Sequence, residues 1–485
     1  MISACHIIGF FLFVVGYKVY SLFAVPRELK DVPLVSLGAS LVSMLSGESF
    51  ELRFERLIRP VLQENGMARM WNQGRWDILL NDTQQIKDIM SDTERFTKRK
   101  GGDINSKLML ASKILGMTNL ASADGDEWRR HRRVANPAFK KTWSTTMFGD
   151  CTTNLINLIQ SANGAPLQVQ GLFQRLTLDV LGKGLFSFDF EAIAKGEENH
   201  YLSLYNEIMK AMMHPIYAIF PFLEALVPWR RASHQKAQEF RDFLRGIIRN
   251  RKAELTEDHD DLLSLMTKAS MDDKEEGLNE EEVINDLSIF FLAGHDTTAN
   301  TLTTTFYYLA KHPEIQEKVR QEVNAVLNGE KRIPTAEELK QLHYIDCIIK
   351  ESMRIVTTVP QLRRYCKDGY TLTNGFAVPK DTFVTLQMWN VHHDNKVYPD
   401  PYSFNPDRFK EAHGPEKNQW MAFGFGSRMC IGKNFSLMEQ KVALACLLQT
   451  FTCLPGPNIV NLSSPKLSNG LVHPINVDII FELIA

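Results

Sequence analysis

Between Asn279 and Pro313 the chain carries no strong helix breaker, and that uninterrupted run constrains the fold more than any other feature. Asn279 with Glu282 three residues on forms the pattern of a capping box, and acidic residues fill the first turn. A helix of roughly 30 residues starts there, about 45–50 Å long. Its centre, Ile289–Ala293, is apolar on every face, which requires burial inside a large protein. A second helix opens at Pro313, the favoured first-turn position, and a third follows Pro334 and continues to about Val356.

Around this helix the pattern is mainly α with a minor β part. Met67–Trp71, a turn at Asn72-Gln73-Gly74 and Trp76–Leu80 predict an early hairpin. Residues 82 to 270 are mostly helical, with amphipathic stretches at Thr177–Leu185 and Gln235–Arg249. Short strands are expected at Tyr370–Thr373, Phe376–Val378 and Thr382–Leu386, then one strong helix from Gly432 to Gln449 and closing strands. No repeat or low-complexity linker divides the chain, so the length prior of about three domains gives way to a single large one.

From Ile2 to Val25 the chain is almost purely apolar, interrupted only by Lys18, and just long enough to span a bilayer. No basic residue precedes the run, as a cleaved signal peptide would need, whereas Lys18, Arg27 and Lys30 lie on its far side. The expectation is an anchor over residues 1–25 with residues 26–485 in the cytoplasm; a partly inserted, monotopic helix is the competing reading. The seven cysteines are odd in number and scattered, with no CxxC pair, which argues against a disulfide framework or a structural zinc. A net charge of −2 gives no case for nucleic-acid binding. The 29 phenylalanines offer flat apolar surface without a polar handle.

The chemistry concentrates near the C-terminus, in Phe423-Gly424-Phe425-Gly426-Ser427-Arg428-Met429-Cys430-Ile431-Gly432. Gly426 allows a turn with positive φ, and the amides beyond it can point at a thiolate on Cys430 at the start of a helix. A lone cysteine before a helix is usually structural, but the spacing of Phe423, Gly426, Arg428, Cys430 and Gly432 is much more specific. The segment resembles the haem-ligand loop of the cytochrome P-450 family, the haem-thiolate monooxygenases. Three further signatures follow the family order, so the resemblance spans nearly the whole chain.

What the resemblance implies is specific. Cys430 is the axial ligand of the iron of haem b. Glu351 and Arg354 match an ExxR pair, and Arg408 completes a buried structural triad with them. Ala293-Gly294-His295-Asp296-Thr297-Thr298 is the oxygen-activation segment. There Gly294 leaves room beside oxygen, Thr297 bonds the carbonyl one turn back, and Asp296 and Thr297 relay protons. His295 is counted as lining or packing. Trp128 and Arg132 match WxxxR and meet a haem propionate; Phe423 packs at the haem, and Arg428 and Arg364 supply further propionate contacts. Arg129, Arg130, Arg133, Lys140 and Lys141 form a basic cluster that suits an acidic NADPH-dependent flavoprotein reductase, with a small haem protein as a second electron donor. A solvated helix face accounts for the same charges. His392 and His393 lie in a structural meander, on strand-like neighbours that face opposite ways.

The expected activity is insertion of one oxygen atom from O2 into a hydrophobic small molecule, at the endoplasmic reticulum membrane. A steroid, fatty acid or terpenoid fits the apolar walls expected from Asp103–Asn119, Tyr205–Phe222, Phe290–Phe291 with His295, Thr357–Leu362 and Asn469–Leu471. Two alternatives stand beside it. Some relatives of the same fold isomerise or dehydrate peroxides without a reductase, commonly without the acid–alcohol pair. An anchored thiol hydrolase would use Cys430 as nucleophile, but it needs a histidine base in context and leaves Phe423 and Gly426 unexplained.

Overall fold

The computed structural model describes residues 23–484 except 73, 99–108, 215, 218–222, 257–258, 272–276, 412–418 and 469, with 6, 16, 17, 20 and 21 before them. The helices that position the site are α1 (Gly125–Lys140), α2 (Val169–Leu181), α3 (Glu280–Lys311), α4 (His343–Ile355) and α5 (Lys433–Thr450). The capping box forms as its spacing predicts: Glu282 N donates to Asn279 Oδ1 at 2.9 Å, and Asn279 N to Glu282 Oε2 at 2.8 Å. From Val283 to Ala310 the long helix α3 is buried on nearly every face, packed against α2, α4 and α5.

The strands are β1 (Met67–Asn72), β2 (Arg75–Leu80), β3 (Phe96–Thr97), β4 (Leu167–Gln168), β5 (Gln361–Cys366), β6 (Tyr370–Thr371), β7 (Ala377–Val378), β8 (Thr382–Gln387), β9 (Phe451–Pro455) and β10 (Asp478–Leu483). One sheet has the order β1-β2-β8-β5-β3, with only β2–β8 parallel. The second is β4-β10-β9, and β6 pairs with β7 alone. The helices enclose the main apolar core, while Trp71, Trp76, Ile78, Val384 and Leu386 form a smaller one on the first sheet. Phe23 packs on that smaller core, stacked on Trp71 at 5.0 Å and accepting a hydrogen bond from Trp76 Nε1 at 3.2 Å.

Three expectations need revision. The helix expected from Pro334 to Val356 is two, Ala336–Leu339 and α4. The Glu322 carboxylate, on a neighbouring helix, accepts from Tyr344 N at 2.6 Å and Ile345 N at 3.1 Å, so a distant residue caps a new N-terminus there. Strand β5 forms where no strand is expected, while its Leu362 still lines the pocket as that segment's reading requires. His392 ends a short helix, Met388–His392, rather than lying on a strand. Most of the apolar run at residues 2–25 lies outside the described residues; among the described residues no helix is long and apolar enough to cross a membrane.

Candidate functional site

The loop before α5 closes on itself. Gly424 N donates to Met421 O and Cys430 N donates to Phe423 O, both at 2.9 Å. Gly424 and Gly426 take φ of 78° and 71°, and a Cβ on Gly426 would press to 3.3 Å from Met90 O. The loop delivers Cys430 to the wall of a cavity of ≈ 330 Å³, with Phe423 beside it. Cys430 is enclosed by protein and its exposed surface opens into this cavity. Burial pushes its thiol up, while the N–H groups of Gly432 and Lys433 and the Arg132 guanidinium pull it down. Burial wins, so amides alone do not make the thiolate expected from sequence. A metal held by the sulfur would displace the proton and complete it.

One wall of the cavity is cationic. Lys98, Arg132, Arg364 and Arg428 line it together with Trp128, whose ring lies 4.1 Å from the Arg428 guanidinium carbon. Asp124 pairs with Arg428 at 3.1 Å and also accepts from Lys98 N at 2.9 Å. Arg364 Nη1 donates to the Arg363 carbonyl at 2.9 Å. Arg428 Nη1 is buried with no hydrogen-bond partner among the described residues. Burial lowers Arg364 and Arg428 to about 10; burial together with those two arginines lowers Lys98 to about 7. Four cations against one carboxylate, with an orphaned guanidinium N–H, make a wall that lacks anions. A planar macrocycle with two carboxylates and an iron within reach of a cysteine fits that deficit. Sequence reasoning missed Lys98 and Asp124; the basic run Thr97-Lys98-Arg99-Lys100 was the only signal for the first, and nothing marked the second.

The opposite wall comes from α3. Ala293, Gly294, Thr297, Thr298 and Thr301 line it, and Thr297 Oγ1 donates to Ala293 O at 2.8 Å, one turn back. Asp296 does not line the cavity. Its Oδ1 accepts from Gln174 Nε2 at 3.0 Å and its Oδ2 from the Tyr205 hydroxyl at 2.7 Å, so the carboxylate is turned away from Thr297. His295 packs behind the wall, its Nδ1 2.8 Å from Phe291 O and its ring against Tyr205. Gly294 has a second reason for its size: a Cβ there would sit 2.5 Å from Leu181 Cδ1 on α2, where the two helices cross. Phe290, Thr357, Thr358, Val359 and Leu362 line the cavity as expected, whereas Tyr205 and Phe291 pack elsewhere. Of the other expected walls, 103–108, 218–222 and Asn469 fall outside the described residues.

Glu351, Arg354 and Arg408 come together below the site. Arg354 forks onto Glu351 at 2.7 and 2.8 Å, both residues fully buried, and Arg408 Nε lies 3.2 Å from Glu351 Oε1. Arg354 Nη1 also donates to His392 O and Pro401 O at 2.8 Å, which ties α4 to the meander. His392 bridges Thr357 Oγ1 and Met421 N, and burial with nearby Arg354 lowers it to about 3; His393 stacks on Trp389 at 4.2 Å. Both are structural. The basic cluster is smaller than its sequence implies. Arg130 is drawn onto Glu282, Lys141 onto Asp260 and Arg129 onto Asp126, while Arg129, Arg132, Arg133 and Lys140 line a surface groove.

The Cytochrome P450 family model matches residues 63–481. Cytochrome P450 3A40 of Oryzias latipes is 28% identical over 398 residues, 78% of this chain and 77% of that protein. Cytochrome P450 4A7 of Oryctolagus cuniculus is 30% identical over 363 residues, covering 71% of each. Cytochrome P450 4F3 of Rattus norvegicus is 32% identical over 364 residues, covering 69% of this chain and 68% of that protein. The crystal structure of the cytochrome P450DA heme domain shares the fold at a TM-score of 0.78 and 23% identity, over 94% of this chain and 97% of that one. The architecture and the cysteine-walled, cation-lined cavity are those of a haem-thiolate enzyme. The chain belongs to the cytochrome P450 family and is a monooxygenase with haem b as its cofactor.

Proposed function

We propose that this enzyme oxygenates a hydrophobic small molecule, with Cys430 as the iron ligand and electrons delivered from NADPH by a separate flavoprotein reductase. Haem supplies the redox and oxygen chemistry when bound. The chain's own residues hold, orient and protonate. Trp128, Arg132, Arg364 and Arg428, joined by Lys98, bind the two propionates. Phe423 packs against the macrocycle beside the ligand. The observation that carries this reading is the cationic wall with its orphaned Arg428 Nη1, facing the same cavity as Cys430 and the α3 hydroxyls.

The Thr297 hydroxyl donates its hydrogen bond to Ala293 O, which leaves its oxygen lone pairs free to accept a hydrogen bond in the cavity. Asp296 serves as the acid behind it, reaching Thr297 when its carboxylate turns from Gln174 and Tyr205. Apolar side chains, among them Phe290, Val359 and Leu362, select an oily substrate and exclude water. Steroids, fatty acids and terpenoids all meet that chemistry. The groove of Arg129, Arg133 and Lys140 suits an acidic electron donor. Residues 1–25 anchor the chain in the endoplasmic reticulum membrane, with the catalytic domain in the cytoplasm. Exposed Val42, Leu45 and Leu52, near the anchor in sequence, give the domain an apolar face to lay on lipid.

The test is a screen of lipophilic compounds for a spin-state shift of the purified protein, followed by turnover with NADPH, reductase and isotopically labelled O2. Label in the product supports the proposal. Product formation without reductase or oxygen would place the enzyme with the isomerases instead.

A further inference from the structure

Among residues that do not line the haem cavity, α1 and α3 bring three ligand-type side chains together. Glu127 and His131 stand at i and i+4 on α1, hence on one face, opposite Glu282 in the first turn of α3. One ligand atom from each lies within 4.8 Å of the others. The family function makes no use of this grouping.

His131 is what raises it above a cluster of acids. The ring is fully buried, and its Nδ1 is 2.6 Å from Oδ2 of the equally buried Asp286. That contact engages Nδ1 and leaves Nε2 as the ring nitrogen turned away from Asp286. Nε2 has no hydrogen-bond partner among the described residues, and it points to Glu282 Oε1 at 3.7 Å. Two ligands on a tetrahedral ion with bonds of about 2.1 Å lie roughly 3.4 Å apart, close to that separation. Arg130 forks onto the same carboxylate, Nη1 donating to Oε2 at 3.0 Å and Nη2 to Oε1 at 2.5 Å, and so fixes its orientation toward His131. Glu127 and Glu282 are both part-exposed, which gives an ion a path in from solvent. We propose that Glu127, His131 and Glu282 form a site for a divalent transition metal of the zinc class. Asp286 is its outer-shell orienter, and water fills the fourth position. The metal pins the helix that carries Trp128 and Arg132 to the start of the long helix α3.

The test uses the haem-loaded full-length protein, stripped of loosely held metal and titrated with Zn2+ against a competing chelator. One equivalent should bind. Glu127→Gln should weaken binding at least tenfold, whereas Asp126→Asn, which removes an exposed acid one residue away, should leave it unchanged. Zn2+ should raise the Tm of the wild-type protein and of Asp126→Asn but not of Glu127→Gln. Binding below one equivalent, equal affinity in Glu127→Gln, or equal loss in both variants would overturn the proposal and leave His131 as a buried structural histidine held between Asp286 and Glu282.

Discussion

At the level of single residues, the site divides into groups that hold charge and groups that move protons. Lys98 shows the first. In the haem-free protein, burial and the neighbouring arginines lower it to about 7, against an ordinary value of 10.5. Between those values the unfolded chain binds the proton that the folded one lacks, so stability rises with pH across that window and the penalty is complete below it. Haem carboxylates held beside Lys98 would remove the penalty. Thermal melts from pH 7 to 10 should therefore climb for the haem-free protein and stay flatter for the loaded one; parallel curves would take Lys98 out of the propionate wall. Thr297 shows the second. Thr297→Ala should lower the product formed per NADPH by about tenfold, with hydrogen peroxide taking the electrons and haem content unchanged. Full coupling in that variant would remove Thr297 from the relay. The identities of Cys430, Thr297 and Arg428 were legible because each belongs to a spaced motif. The turn of Asp296 toward Tyr205 was not, since it depends on Gln174 and Tyr205, distant in sequence and carrying no motif of their own.

Among the elements, legibility followed the range of the interactions that fix them. The capping box that opens α3 and the hairpin β1–β2 rest on residues a few positions apart, and both form where the spacing places them. The split of the helix before α4 rests on Glu322, about twenty residues upstream, and the sequence offers no local sign of it. Strand β5 is likewise made by its neighbours β8 and β3 more than by its own composition, which includes two arginines. The join between α4 and the meander depends on buried charge. Removing the charge of Glu351 strands Arg354 in a fully buried site, so Glu351→Gln should cost roughly 3–5 kcal/mol. Urea unfolding of the haem-free protein measures it, and a loss under about 1 kcal/mol would show that the backbone carbonyls of His392 and Pro401 satisfy Arg354 on their own.

The molecule as a whole is one large helical body around a cavity, and its near-neutral total charge conceals opposed local fields. Cationic side chains line the inner cavity and a surface groove, while the N-terminal run is apolar and Val42, Leu45 and Leu52 are exposed. Phe23 already packs on the first sheet, so the folded body begins by that residue. Deletion of residues 1–22 should leave haem content unchanged and release the protein from membranes on high-salt washing. A deletion that prevented haem binding would make the N-terminal run part of the core instead. The account turns on the bond between Cys430 and iron, and the reduced, carbon monoxide-bound absorption spectrum reads that bond directly. The wild-type protein should show the red-shifted Soret band of a thiolate-ligated haem, and Cys430→Ser should abolish it. A histidine-type band in the wild-type protein, or a red-shifted band that survives Cys430→Ser, would contradict the assignment.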